Sequence, residues 1–430
     1  MIRDNDSACL NKKPICAFCD KNEMYLIIDF NKVALAGGFL KPEEFQTEPL
    51  FPMRLYFCEN CYAVQLIDVV DAKILFNNYF YFSSAIPSLQ EHFRDYATEL
   101  TTRFLDPDSA TLVEIGCNDG VLLKPLAELG VRQLIGVDPA TNVVEKIDDP
   151  RVHIVNDFFT ISTAEQIAES FGKADLIVAN NVYAHIPDIK GVTQGIYNLL
   201  KNDGTFVFEV HYLDKVLRGL QYDMIYHEHL YYYSLLALLN HFERFGMVIF
   251  DVKPISIHAG SMRYYVCKKG ARQAQNISQR LLLLKQNELK LGLNRRETFI
   301  NFAENIALRK KTLMNLLENI RSRGYSIAGY GASGRANTII QYCGINHSHL
   351  DYMIDDAPAK SGFYTPGSHF LIHPASILKE SPTDYLLVLA WGYFNEIAEK
   401  CSDYLAKGGR LIQPLPEVRI SFQPTSINDL

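Results

Sequence analysis

Residues 222–234 read Tyr-Asp-Met-Ile-Tyr-His-Glu-His-Leu-Tyr-Tyr-Tyr-Ser, so Tyr226, His227, Glu228 and His229 stand side by side. Adjacent titratable groups set among aromatic and apolar residues point to a poised acid/base pair rather than a solvated turn. The His-Glu-His order lacks the i, i+4 spacing of a zincin helix, so a metal shared by these side chains would need outside ligands, and no pattern supplies them. An imidazole titrates at about 6.5, close enough to neutral pH to take and return a proton in each turnover.

A second constellation lies near the start. Cys16-x-x-Cys19 and Cys58-x-x-Cys61 are two knuckles 38 residues apart. Each brings two thiolates to one side of a turn, as a tetrahedral Zn²⁺ site requires, and four protein ligands leave no open position, which makes the expected metal structural. The apolar runs 24–30 and 55–57 are expected to supply strands to a small zinc-bound sheet. Nine cysteines are too few and too scattered for a disulfide framework in 430 residues, and Cys9, Cys117, Cys267, Cys343 and Cys401 read as packing residues.

The third group is the run Thr-Leu-Val-Glu-Ile-Gly-Cys-Asn-Asp-Gly at 111–120. A β-branched strand, a glycine turn, a helical stretch at 121–129 and a strand at 133–137 form a βαβ unit. Gly116 and Gly120 allow close backbone approach, Glu114 sits at the strand end, and Asp138 closes the second strand where a carboxylate accepts hydrogen bonds from ribose hydroxyls. The pattern is no dinucleotide Gly-x-Gly-x-x-Gly; it resembles the first motif of S-adenosylmethionine-dependent methyltransferases, with Asn118 where many have glycine. Further strands are predicted at 152–157, 174–180 and 204–210, separated by helix-compatible sequence, which is the order of a doubly wound α/β sheet. Ligands bind beyond the carboxyl ends of such strands, so Gly116, Asp138, Asp157, Asn180 and Glu209 are expected along one rim. Asp157 has an equal alternative as a helix N-cap before Phe158.

Downstream, Phe299, Phe302, Ile306, Leu313, Leu316 and Ile320 recur at helical spacing in a polar stretch and predict long amphipathic linker helices over 272–323. A strand at 325–330 then runs into Gly329-x-Gly331-x-x-Gly334, a helix over 335–343 and a strand over 350–354 ending in Asp355, 21 residues after the last glycine. In isolation that is a Rossmann fingerprint for NAD. Only 385–390 and 409–413 remain as strands, so a half-fold is expected.

These elements fit the composition. Lys plus Arg number 42 and Asp plus Glu 49, a net charge of −7, and 48% of the residues are apolar. That excludes wholesale disorder and argues against a protein whose main task is gripping nucleic-acid phosphates. No run approaches the roughly 18 uninterrupted apolar residues of a membrane span; the nearest, 74–89, is broken by Asn77, Asn78, Ser83, Ser84 and Pro87. Residues 1–14 lack the apolar segment of a signal or transit peptide, so a cytoplasmic chain, with no membrane or nucleic-acid partner and monomeric by default, is expected. The length predicts three domains: a zinc-binding domain at 1–75, a methyltransferase domain at 76–270, and linker helices with a Rossmann-like domain at 271–430.

Taken in order, the paired knuckles, Glu-Ile-Gly-Cys-Asn-Asp-Gly, Asn-Asn-Val-Tyr-Ala-His-Ile-Pro-Asp at 180–188, the Tyr-His-Glu-His segment and the C-terminal Gly-Tyr-Gly-Ala-Ser-Gly resemble the nucleotide-sugar C-3 methyltransferases over nearly the whole chain. The resemblance implies methylation of the carbon beside the 4-keto group of a dTDP-activated 6-deoxyhexose, with S-adenosylmethionine as donor and zinc as structural metal. It implies His229 as general base with Tyr226 and Glu228 beside it, and His185 as a second active-site group. Tyr81, or else Tyr79, is carried over from the aromatic segment upstream, which departs from the family's Tyr-Pro-Tyr-Tyr-Ser by having Phe80 at the proline. For the cofactor it implies Glu114, Gly116, Asn118, Asp119, Gly120, Asp138, Asp157 near the adenine, and Asn180 near the methionine part. Asn181, Ser333, Arg335 and Lys360 are the implied contacts of the nucleotide sugar. The rival readings are an NAD-dependent nucleotide-sugar dehydrogenase or epimerase, built on the C-terminal fingerprint, and a non-catalytic zinc-ribbon adaptor.

Overall fold

Three segments with little polar alternation, Thr111–Ile115, Gln133–Val137 and Ala174–Asn180, lie in the parallel centre of the larger sheet and are covered on both faces. The computed structural model describes residues 14–76, 83–85, 87–257 and 260–421. They pack as two compact units. The first takes the described parts of Met1–Tyr25, Tyr56–Asp214 and Leu230–Arg296, and the second those of Leu26–Leu55, Lys215–His229 and Glu297–Leu430. Leu26–Leu55 and Lys215–His229 fall with Glu297–Leu430 in the second of these units. The strands β1 (Met24–Ala34) and β2 (Leu50–Cys58) carry the chain across this division.

In the first unit, β3 (Val64–Leu66) precedes the βα repeats β4 (Thr111–Ile115), β5 (Gln133–Val137), β6 (Val152–Val155), β7 (Ala174–Asn180) and β8 (Leu200–His211), followed by β9 (Tyr231–Tyr232), β10 (Met247–Ile255) and β11 (Ser261–Lys268). The seven-stranded sheet has the order β10-β11-β8-β7-β4-β5-β6. Strands β6, β5, β4, β7 and β8 are parallel, and β11 and β10 add antiparallel at the end. Register sets Asn180 opposite Glu209 and Glu209 opposite Arg263. The helix Pro87–Phe104 contributes Phe93, Tyr96 and Leu100 to a core shared with Leu126, Val178, Val207 and Tyr265. Each such buried side chain contributes ~1.5–3 kcal/mol. β3 pairs with β9 antiparallel, Val64 opposite Tyr232.

The second unit holds a six-stranded sheet made of β12 (Ile327–Tyr330), β13 (Met353–Ile354), β14 (Ile372–His373), β15 (Tyr385–Val388), β16 (Arg410–Gln413) and β17 (Arg419–Ser421), in the order β14-β13-β12-β15-β16-β17. All pairs are parallel except β16 with β17. Two strands more than expected are present; β14 and β17 are too short to leave a period in the sequence. The predicted linker helices are Gln279–Leu291 and Arg296–Ser322. The latter buries Phe299, Phe302, Ile306, Leu313, Leu317 and Ile320, so Leu317 replaces the expected Leu316 on the inner stripe. Among the described residues no helix is long and apolar enough to cross a membrane.

Candidate active site

The chain leaves β4 through Gly116, whose φ of +69° suits glycine and where a Cβ would stand 2.7 Å from Val182 Cγ2. The turn that follows is tied down by short polar side chains. Asn118 N–H and Ala140 N–H donate to the two oxygens of Asp138 at 3.0 and 2.9 Å. Asn118 Oδ1 accepts from Ser83 N–H at 3.0 Å, and Asp119 accepts from the Ser84 hydroxyl at 2.6 Å. Burial raises the pKa of Asp138 from its ordinary value against the pull of the two amides.

Glu114 on β4 is buried, accepts from Asn180 Nδ2 at 3.2 Å, and has its pKa raised well above the ordinary value by loss of hydration. Glu114 Oε2, Asn180 Oδ1 and Asn181 Oδ1 are buried acceptors with no hydrogen-bond partner among the described residues. Acceptors left open beside a glycine turn, at the carboxyl tips of β4 and β7, call for a donor-rich ligand. S-adenosylmethionine, with an ammonium group, a sulfonium charge and ribose hydroxyls, fits that set. His185, on the loop after β7, is half-exposed at its surface but packed closely enough that dehydration pushes its pKa down to about 4, which leaves the ring neutral at pH 7.

Two of the expected rim residues bond to neighbouring protein groups. Asp157 is exposed just past the carboxyl end of β6 and accepts from Phe158 N–H at 2.7 Å, while Thr160 caps the helix Ile161–Phe171 by accepting from Thr163 N–H. The capping alternative for Asp157 is thereby corrected: the cap lies three residues later. Glu209 is fully buried, with Arg263 Nε donating at 2.6 Å and His92 Nε2 at 2.9 Å, so it belongs to an internal ion network.

The four knuckle cysteines are buried and bring their Sγ atoms within 4.8 Å of one another. Cys16 and Cys61, and likewise Cys19 and Cys58, have sulfurs 3.5 Å apart. A tetrahedral zinc with Zn–S of about 2.3 Å places sulfurs about 3.8 Å apart, so the donor set fits the ion. Gln65, which no sequence signal singled out, donates to Cys16 Sγ at 3.0 Å and accepts from Ala17 N–H at 2.9 Å, orienting the first knuckle.

In the second unit the Tyr-His-Glu-His segment follows a short 3₁₀ turn, Tyr222–Met224. His229 is buried, with Nδ1 2.8 Å from Met224 O and Nε2 3.0 Å from Tyr226 OH. A carbonyl only accepts, so Nδ1 carries the hydrogen; in the neutral ring Nε2 is then the basic nitrogen and receives the tyrosine hydroxyl. The two rings lie 4.1 Å apart. Glu228 is partly covered, and dehydration pushes its pKa up to about 7. His227 turns the other way, to Pro52 O at 3.2 Å and edge-on to Phe51, and is a packing residue.

The C-terminal fingerprint is occupied by protein. Ser333 caps the helix Gly334–Cys343 by accepting from Ala336 N–H. Lys360 Nζ donates to Ala332 O at 2.8 Å and pairs with Asp355 at 3.1 Å. Arg335 Nε donates to Asp223 at 2.8 Å. The acid that would hold a dinucleotide ribose thus already carries a cation, while Arg335 Nη2 is a buried donor with no hydrogen-bond partner among the described residues. Tyr79 and Tyr81 lie outside the described residues.

Family profiles match in series: a zinc binding domain at residues 16–76, a methyltransferase domain at 89–251 and a C-methyltransferase C-terminal domain at 256–416. C-methyltransferase NovU of Streptomyces niveus is 31% identical over 406 residues, covering 94% of this chain and 96% of its own. The ubiquinone biosynthesis O-methyltransferase of Bartonella tribocorum is 34% identical over 99 residues, 23% of this chain and 39% of its own length. Among solved structures, magnesium protoporphyrin IX methyltransferase from Synechocystis PCC 6803 with bound SAM aligns at 14% identity and a TM-score of 0.31, covering 42% of this chain and 79% of that one. With the zinc cluster, the glycine turn of a methyltransferase sheet and a full-length relative agreeing, the chain belongs to the S-adenosylmethionine-dependent C-methyltransferase family.

Proposed function

We propose that this enzyme methylates C-3 of a dTDP-4-keto-6-deoxyhexose, with His229 as the base that makes the carbon nucleophilic. A sugar carbon acquires that character only when the neighbouring ketone acidifies its proton, so the chain must supply a base and a group for the enolate oxygen. The observation that carries the reading is the hydrogen bonding of His229: Nδ1 lies 2.8 Å from Met224 O, which assigns it the hydrogen, and Nε2 3.0 Å from Tyr226 OH. In this arrangement Tyr226 takes the C-3 proton as its own hydroxyl hydrogen passes to Nε2, leaving an imidazolium that the Met224 carbonyl continues to orient. Glu228, with a pKa of about 7, is protonated often enough at neutral pH to donate to the enolate oxygen. His185 stays neutral at neutral pH and offers a ring N–H without adding charge. S-adenosylmethionine, when bound, supplies an electrophilic methyl group on sulfur. Asn181, with its open Oδ1, is the proposed sugar contact.

Incubation with a panel of 4-ketohexose nucleotides and methyl-labelled S-adenosylmethionine, followed by location of the label, tests the reaction. Label at C-3 is expected; label on oxygen would reject it. His229→Asn should keep cofactor affinity by calorimetry while losing methyl transfer, and retained turnover would reject the base.

A further inference from the structure

Glu297–Leu430 contains a nucleotide-binding signature in which Ser333 caps its own helix and Asp355 holds Lys360, and the helix that follows it has another task. Along one face of the helix Gly334–Cys343, successive turns grip the segment immediately before the base. Arg335 Nε donates to Asp223 Oδ2 at 2.8 Å. One turn on, the Thr338 hydroxyl donates to Ile225 O at 3.3 Å. At the far end Tyr342 packs its ring 5.3 Å from Tyr222, whose hydroxyl lies 3.4 Å from Cys343 Sγ. Trp391 completes the grip: its Nε1–H donates to the same Asp223 oxygen at 2.9 Å while the Arg335 guanidinium sits 5.1 Å from the centre of its ring. Asp223 is completely buried, so a carboxylate there is tolerable only while these donors hold it. Residues 222, 223 and 225 are thus fixed from outside, and the peptide between them is the one whose carbonyl, Met224 O, receives His229 Nδ1–H.

We propose that Arg335 and Trp391 are positioning residues which, through Asp223, set the orientation of the Met224 carbonyl and thereby determine which nitrogen of His229 is the base. The inference rests on the reading of His229 given above. If Met224 O turns away, the ring loses the acceptor that distinguishes its nitrogens, and the tautomer with hydrogen on Nε2, which cannot take a proton there, becomes populated. Small misplacements of a catalytic group cost about 100-fold in rate. The wrong tautomer acts on kcat and leaves cofactor binding alone.

The test uses the full zinc-loaded chain labelled with ¹⁵N in its histidine rings. His229→Asn identifies the His229 signals, and the tautomer is then read by NMR in native protein, Arg335→Gln and Trp391→Phe. Native protein should show Nδ1–H alone, and both variants should show the Nε2–H form as well. With dTDP-4-keto-6-deoxyglucose, kcat should fall about 100-fold in Arg335→Gln and about 10-fold in Trp391→Phe, with KM for S-adenosylmethionine unchanged. Arg335→Lys, which restores a cation to Asp223, should recover part of the loss. Should Arg335→Gln fail to fold, Trp391→Phe, which keeps the aromatic ring, carries the test. An unaltered tautomer in Trp391→Phe, or unaltered kcat in both variants, overturns the proposal. Turnover retained in His229→Asn together with a shifted tautomer in Trp391→Phe upholds the clamp and rejects only the base.

Discussion

Glu288 offers a sharp test of how burial and hydrogen bonding compete. It lies on the helix Gln279–Leu291, has no exposed surface, and accepts from Leu235 N–H and Leu236 N–H at 2.8 and 2.9 Å, at the start of the helix Leu235–Glu243. Loss of hydration raises its pKa from 4.5 to about 7 against the pull of the two amides. Between those values the folded carboxyl still holds a proton that the unfolded chain has released. Folding is therefore strongest below the unfolded value and weakens as pH rises through the window, to a plateau above it. At about 1.4 kcal/mol per pKa unit the full effect is roughly 3 kcal/mol, of which roughly 2.5 falls between pH 5 and 8. Glu288→Gln keeps the shape but does not titrate; leaving one amide without an acceptor costs about 1–3 kcal/mol at every pH. Calorimetric melting of both proteins from pH 5 to 8 should show native protein more stable at pH 5. The gap should close by about 5–10 °C toward pH 8, taking ~2–4 °C per kcal/mol for a unit of this size. A gap that widens with pH would mean that the amides and the helix terminus hold the carboxylate ionised and would refute the argument.

Two further expectations follow from the metal and cofactor ends. Purified protein should carry one zinc per chain by atomic emission, and Cys58→Ser should both abolish that content and lower the melting temperature, because structural zinc contributes folding energy directly; full stability without zinc would count against a structural role. Calorimetry should detect S-adenosylmethionine but not NAD. Gly116→Ala should weaken cofactor binding by at least tenfold, since a left-handed non-glycine residue costs about 1–2 kcal/mol before the new methyl meets Val182.

The parallel strands were readable because burial on both faces leaves continuous aliphatic runs; β4, β5 and β7 fall where the sequence predicts them. Strand β11 was not. All eight of its residues are buried, yet they include Arg263 and Lys268, whose charges make the run look exposed. Their partners are remote: Glu99 and Glu209 for the arginine, Leu200 O for the lysine. The zinc site was legible because ligand spacing is local, whereas Gln65 reaches Cys16 across 49 residues and has no spacing to betray it. His229 stands out as a candidate base by its neighbours in sequence, but its hydrogen bond runs to a backbone carbonyl, and the ion pair beside that carbonyl joins residues 112 positions apart.

The C-terminal glycines show why the spacing of a fingerprint does not by itself name a ligand. Gly-x-Gly-x-x-Gly encodes close approach of backbone to something, and here the something is protein. A Cβ at Gly329 would collide with Met353 Sδ, one at Gly331 would stand 2.5 Å from Ala390 Cβ, and one at Gly334 would stand 3.3 Å from Ala36 Cβ. Asn337 Nδ2 donates to Ala36 O at 2.6 Å, which fastens the residue covering the helix start. Where a dinucleotide fold would offer its acid to a ribose, Asp355 holds Lys360, and Lys360 in turn holds the carbonyl of Ala332 within the glycine turn. Asp355 and the three glycines thus make internal contacts of the kind that the spacing alone would assign to a dinucleotide. The helix start covered in this way adjoins the face that holds the 222–225 segment and, through the proposed clamp, one nitrogen of a histidine.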